Sequence, residues 1–172
     1  MNNDTNHDES TDESDEETQL SREEQLEALG YPLSDIPNPA AVYKAVVIDG
    51  STAYVSGAIP IANGQVASAG KVPSQVSVEE AHKAAALCAA NLLRVLKVEL
   101  GSLDRVDRVL KLTGFVNSDA TFDQQHVVIN GASQLLIDTL GMEAGMGARA
   151  AVGVAGLPLG VSVEVDLIVK VS

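Results

Sequence analysis

Arg149 and Glu164 are the two side chains whose types and placement suit chemistry on a small molecule. A guanidinium can hold an anion through two parallel charge-assisted hydrogen bonds, and a carboxylate can accept and return a proton. The two-residue period of a strand puts Val161, Val163, Val165, Leu167, Val169 and Val171 on one face and Ser162, Glu164, Asp166 and Lys170 on the other. In the preceding β-rich run Ala150, Val152 and Val154 go together, which leaves Arg149, Ala151 and Gly153 opposite them, on the face expected to carry Glu164. Two readings stay open. The pair is a solvated ion pair across neighbouring strands, or other subunits cover this half-apolar, helix-free face and the pair is buried machinery.

Competing chemistry is sparse. His82 and His126 fall near helix starts, on faces expected to meet solvent, and His7 lies in the polar N-terminal stretch. No pair has His-x-x-x-His spacing, so no metal site is expected. Neither a Gly-x-Ser-x-Gly elbow, a P-loop nor a dinucleotide fingerprint is present, and the glycines from Gly141 to Gly147 follow a helix instead of opening one, so no cofactor is expected. Cys88, the one cysteine, excludes an internal disulfide, lies on an apolar helix stripe and fits a reducing, cytoplasmic setting.

The elements that must position these residues follow from composition and pattern. Of 172 residues 24 are acidic and 11 basic, a net charge of −13. Met1 to Gly30 holds 11 of the acids and one base, Arg22, so this stretch carries −10 and the remainder −3. Met1 to about Leu26 has few apolar side chains to offset the entropy of ordering, so residues 1–30 are expected to be a disordered acidic tail, with residues 31–172 forming one domain. The acidic balance disfavours nucleic acid, and no apolar run approaches the roughly 20 residues a membrane span needs.

Three prolines make Tyr31 to Pro39 an extended lead-in, with folding proper from about Ala40. Val42 to Ile48 and Thr52 to Ser56 read as a hairpin closed at Asp49-Gly50, and Asn63-Gly64 marks a second turn before a short strand over Gln65 to Ala69. Ser77-Val78-Glu79-Glu80 is a capping box that opens a helix ending at Gly101; Thr121-Phe122-Asp123-Gln124 reads as another, opening a helix to Gly141. Val106 to Val116 reads as a central strand, Gly141 to Gly147 as a flexible passage, and Ala148 to Val154 and Val161 to Val171 as the last two strands. The expected fold is α+β, a mixed sheet with two helices on one face.

Tyr54-Val-Ser-Gly-Ala-Ile-Pro60, Lys111-Leu-Thr-Gly-Phe-Val-Asn117 and the run from Ala148 to Asp166, with Arg149, Leu157-Pro158 and Val163-Glu164-Val165 in place, resemble the Rid/YjgF family of reactive-intermediate deaminases from about Ala40 onward. The resemblance implies a chorismate-mutase-like fold assembled as a homotrimer, with clefts between subunits for a small 2-imino or 2-oxo acid. It further implies hydrolysis of 2-imino and 2-aminoacrylate intermediates to 2-oxo acids and ammonia, without a cofactor. Arg149 matches the family's carboxylate-binding arginine and Glu164 the glutamate beside the hydrolytic water. Tyr43, Ser56, Gly57 and Asn130 match cleft positions, Tyr43 either orienting the imine or packing at a subunit contact. Ala58 stands where glutamine is common, Ala151 where many members have cysteine, and Met146-Gly147 where Phe-Pro is usual. These departures leave a non-catalytic carboxylate-binding module as the alternative.

Overall fold

Residues 20–37 and 42–172 are described by the computed structural model. Gly50, at φ 58°, turns the chain between β1 (Val46–Asp49) and β2 (Thr52–Ala58), with Asp49 paired to Thr52, so the expected hairpin forms but its ladder starts only at Val46. Asn63 and Gly64, at φ 51° and 73°, make the tight turn between β3 (Ile61–Ala62) and β4 (Gln65–Val66). Ser77 and Glu80 form the expected reciprocal cap of α2 (Val78–Leu100), and Gly101 ends it in the left-handed conformation. Then follow β5 (Val106–Asn117), α3 (Gln125–Leu140), α4 (Met142–Gly145), β6 (Ala148–Val154) and β7 (Val163–Val171).

The main sheet runs β1-β2-β7-β5-β6, antiparallel except for the parallel β5/β6 pair. Helices α2 and α3 pack together over one face, where Val163, Val165, Leu167 and Val169 of β7 are buried. The mixed α+β layer arrangement is therefore as expected. No helix among the described residues is long and apolar enough to cross a membrane.

Four details differ from expectation. Residues 21–30 are ordered: Ser21 and Glu24 form a capping box for α1 (Arg22–Ala28), Leu26 is fully buried, and Arg22 Nη1 donates to the carbonyls of Leu103 and Val106 at 2.9 and 2.6 Å. Residues 1–19 of the expected tail, and residues 38–41 of the lead-in with Ala40, lie outside the described residues. Thr121 caps nothing. A turn closed from Phe122 N to Asp119 O comes first, Gln125 Nε2 then donates to the Phe122 carbonyl at 2.7 Å, and α3 starts only at Gln125. The glycine-rich passage contains α4, whose Gly145 lies so close to Leu136 that an added Cβ would sit 2.4 Å from that residue's carbonyl oxygen. Finally, β6 pairs with β5 and not with β7, so Arg149 and Glu164 are not on neighbouring strands.

Because Leu26 is the buried anchor of α1, Leu26→Ala is expected to cost about 2–4 kcal/mol by urea unfolding. A disordered segment would give no change.

Inside the fold, Arg94 of α2 is almost fully buried. Its Nη1 donates to Asn91 Oδ1 at 2.7 Å, its Nε to the Pro32 carbonyl at 3.0 Å, and Asp35 lies 3.6 Å away. Asp35 in turn accepts from the backbone N–H of Asn63, and Asn91 Nδ2 donates to the carbonyls of Ile59 and Ile61. One cation thus ties the lead-in and the β3–β4 hairpin to α2.

Candidate active site

The residues singled out from the sequence fall into two groups. Arg149, on edge strand β6, pairs in parallel register with the buried Leu112 and so faces the helix side of the sheet. Its Nη1 donates to Asn130 Oδ1 at 2.8 Å and to Ser133 Oγ at 3.1 Å, both on α3. Asn130 and Ser133 are three residues apart and hence neighbours on one helix face, which fixes one edge of the guanidinium and leaves its other N–H groups for a ligand. Arg149 lines a cavity of about 650 Å³ together with Val109, Leu112 and Ile137, and with the polar side chains of Gln134 and His82. That volume is in the range of ligand pockets.

Glu164 forms the second group. It sits on β7 opposite Phe115 of β5, on the helix-free face. Its carboxylate folds against Gly57 so closely that an added Cβ there would lie 2.1 Å from Oε1. Gly57 lies within the irregularity in the β2/β7 register between Val55 and Ala58. Ser56 Oγ donates to the Lys44 carbonyl at 2.7 Å and Ser56 N to the Ala45 carbonyl at 2.9 Å, which holds the segment just after the half-exposed Tyr43.

Arg149 and Glu164 are therefore on opposite faces of the sheet, three residues apart along the intervening β5. With about 3.3 Å per residue and two strand spacings of about 4.8 Å, their backbones lie roughly 14 Å apart. The expectation that they share a face is corrected. Asn130 joins Arg149; Ser56 and Gly57 join Glu164; and the two clusters do not meet within one chain.

Partial burial, and next the charge of Asp166, push the Glu164 carboxyl above its ordinary value. A carboxyl raised in the folded state binds its proton more tightly than in the unfolded chain. Its contribution to stability is complete below 4.5 and is lost as the pH rises through the elevated folded value. Glu164→Gln is accordingly expected to melt higher than the wild type at pH 7, the gap closing below pH 4.5, as read by thermal melts across pH.

His82 was expected on a solvated surface. It is half-buried between α2 and α3, its Nδ1 3.1 Å from the Val127 carbonyl, and it reaches the Arg149 cavity. Only its position on α2 was visible in the sequence; the cavity is made by tertiary packing.

The sequence model of the family described as Endoribonuclease L-PSP matches residues 33–171. The chain is 41% identical over 147 residues to Protein TCP17 of Trypanosoma cruzi, covering 86% of this chain and 92% of that one. Among solved structures it is similar to protein Atu1372 of Agrobacterium tumefaciens, a protein of unknown function, with 45% identity and a TM-score of 0.81 over 88% of this chain and 92% of the other. A structure from Shewanella oneidensis, provisionally assigned as an endoribonuclease, matches with 27% identity and a TM-score of 0.84 over 88% of this chain and all of its own.

Proposed function

The chain belongs to the Endoribonuclease L-PSP family of the Rid/YjgF superfamily, and from that premise we propose that it hydrolyses reactive 2-imino and 2-aminoacrylate acids to 2-oxo acids and ammonia. The observation that carries this reading is the guanidinium of Arg149, braced on one edge by Asn130 and Ser133 and open on the other toward a cavity of small-molecule size. Two parallel N–H groups grip a carboxylate and thereby fix the adjacent C=N carbon. Glu164, packed against Gly57, supplies the group that positions water and takes its proton, with Ser56 and Tyr43 as further cleft residues. Because the two clusters lie on opposite faces of one sheet, each complete site combines the Arg149 cluster of one copy with the Glu164 cluster of another. A homotrimer provides three such clefts and covers the half-apolar face that leaves Tyr54 and Val152 about half exposed. Imines hydrolyse readily without help, so a sparse site without a cofactor is adequate in a cytoplasmic setting.

The family's name also points to RNA, but a charge of −13 repels phosphate backbones. The test is competition with semicarbazide for 2-iminopropanoate generated by a dehydratase. Pyruvate release faster than the spontaneous rate with wild-type protein, and no faster than it with Arg149→Ala, is expected. Equal competition by both proteins refutes the role given to Arg149, and saturable 2-oxobutyrate binding without turnover refutes the hydrolase and leaves a carboxylate-binding module.

A further inference from the structure

We propose that His82 is a second proton-transfer residue of the Arg149 cavity, the one that serves the departing nitrogen; this rests on the hydrolase reading above. Arg149 cannot exchange protons in water, since a guanidinium stays charged, and hydrolysis of a C=N bond requires both removal of a proton from water and delivery of protons to nitrogen. Of the side chains lining the cavity, His82 alone has a nitrogen that can both take and give a proton.

The fold brings it there by a close approach of two helices. His82 is on α2, whereas Asn130 and Ser133, which hold Arg149, are on α3. At their crossing a Cβ on Gly131 would stand 2.0 Å from the His82 carbonyl oxygen and 3.1 Å from its ring Cδ2, so glycine is what lets the imidazole lie against α3 and line the same cavity as Asn130. The ring is also held in one tautomer. Nδ1 is 3.1 Å from the Val127 carbonyl, an acceptor only, so this nitrogen keeps its hydrogen and Nε2 is the one free to exchange.

The steps balance. Water oxygen bonds to the imine carbon while its proton passes to Glu164 of the partner subunit; the C=N π pair moves to nitrogen, which takes the proton from Nε2 of the imidazolium. The carbinolamine then collapses. Its hydroxyl proton returns to Nε2 as the C=O bond forms, the C–N bond breaks with its pair on nitrogen, and the protonated Glu164 gives its proton to the leaving ammonia. Both groups end as they began.

The experiment compares wild type, His82→Asn and His82→Ala in the trapping assay, with thermal melts to verify folding. The asparagine amide can still donate to the Val127 carbonyl but has no nitrogen that exchanges. Both variants are expected to lose about 100-fold in kcat with KM within about threefold, and free imidazole should restore turnover to His82→Ala but not to His82→Asn, whose side chain fills the gap. A kcat within threefold of wild type, a loss carried by KM, or a kcat loss in His82→Ala that imidazole leaves unchanged makes His82 a packing residue and overturns the proposal. Inactive wild-type protein is a different outcome, which removes the hydrolase reading itself.

Discussion

Co-expressing Arg149→Ala with Glu164→Gln, two proteins expected to be inactive separately, should give oligomers with about a quarter of wild-type imine hydrolysis. Where each site takes its guanidinium from one copy and its carboxylate from the next, a site is intact only if the first copy carries the Glu164 change and the second the Arg149 change. Each condition holds for half of the copies under random assortment, and the product is about one quarter whatever the ring size. The ground for expecting it is the register: Arg149 opposite Leu112 and Glu164 opposite Phe115, facing opposite ways from the sheet. Activity is measured per protomer on the whole population of oligomers, without selecting the mixed ones. A mixture as inactive as its parents shows that both groups serve one chain, and the division of the site between copies falls.

Arg94→Ala is expected to lose about 3–5 kcal/mol of unfolding free energy, the usual loss when one partner of a buried ion pair is removed. The guanidinium satisfies Asn91 Oδ1 and the Pro32 carbonyl and offsets Asp35, so its removal orphans two acceptors and strips Asp35 of its counter-charge. Burial pulls the Arg94 guanidinium below its ordinary value, and the neighbouring Asp35 counters this. In melting temperature the loss is roughly 10 °C for a chain of this size. Arg94→Lys keeps the charge but not the fork, and should recover less than half of the loss. Circular dichroism is the probe, since the chain has no tryptophan. A loss under about 1 kcal/mol for Arg94→Ala would mean that the lead-in and the β3–β4 hairpin hold without it.

What could be read in advance was local. Asp49-Gly50, Asn63-Gly64 and the Ser77 and Glu80 cap each involve residues a few positions apart whose backbone requirements are written in their types. The Ser21-x-x-Glu24 cap is equally local, yet the expected elements do not include it: the stretch reads as an acidic tail, although Leu26 supplies an apolar anchor. Thr121-x-x-Gln124 shows the converse, a capping pattern overruled by an earlier turn and by Gln125. Strand alternation sorted Glu164 correctly because valines mark one face of β7. It failed for Arg149, because β6 has small apolar residues on both sides, Ala150 and Val152 against Ala151 and Gly153, and nothing in that pattern says which side meets the helices. The insertion of β5 between the last two strands is a long-range pairing that no short window contains.

Arg22 seats α1 through carbonyls that lie 81 and 84 residues further along the chain. At about 5–20 residues per second, a ribosome delivers those partners roughly 4 to 17 s after the helix itself. For that interval α1 and its leucine anchor stay undocked and open to chaperones and proteases, and the latch closes only once the start of β5 has emerged.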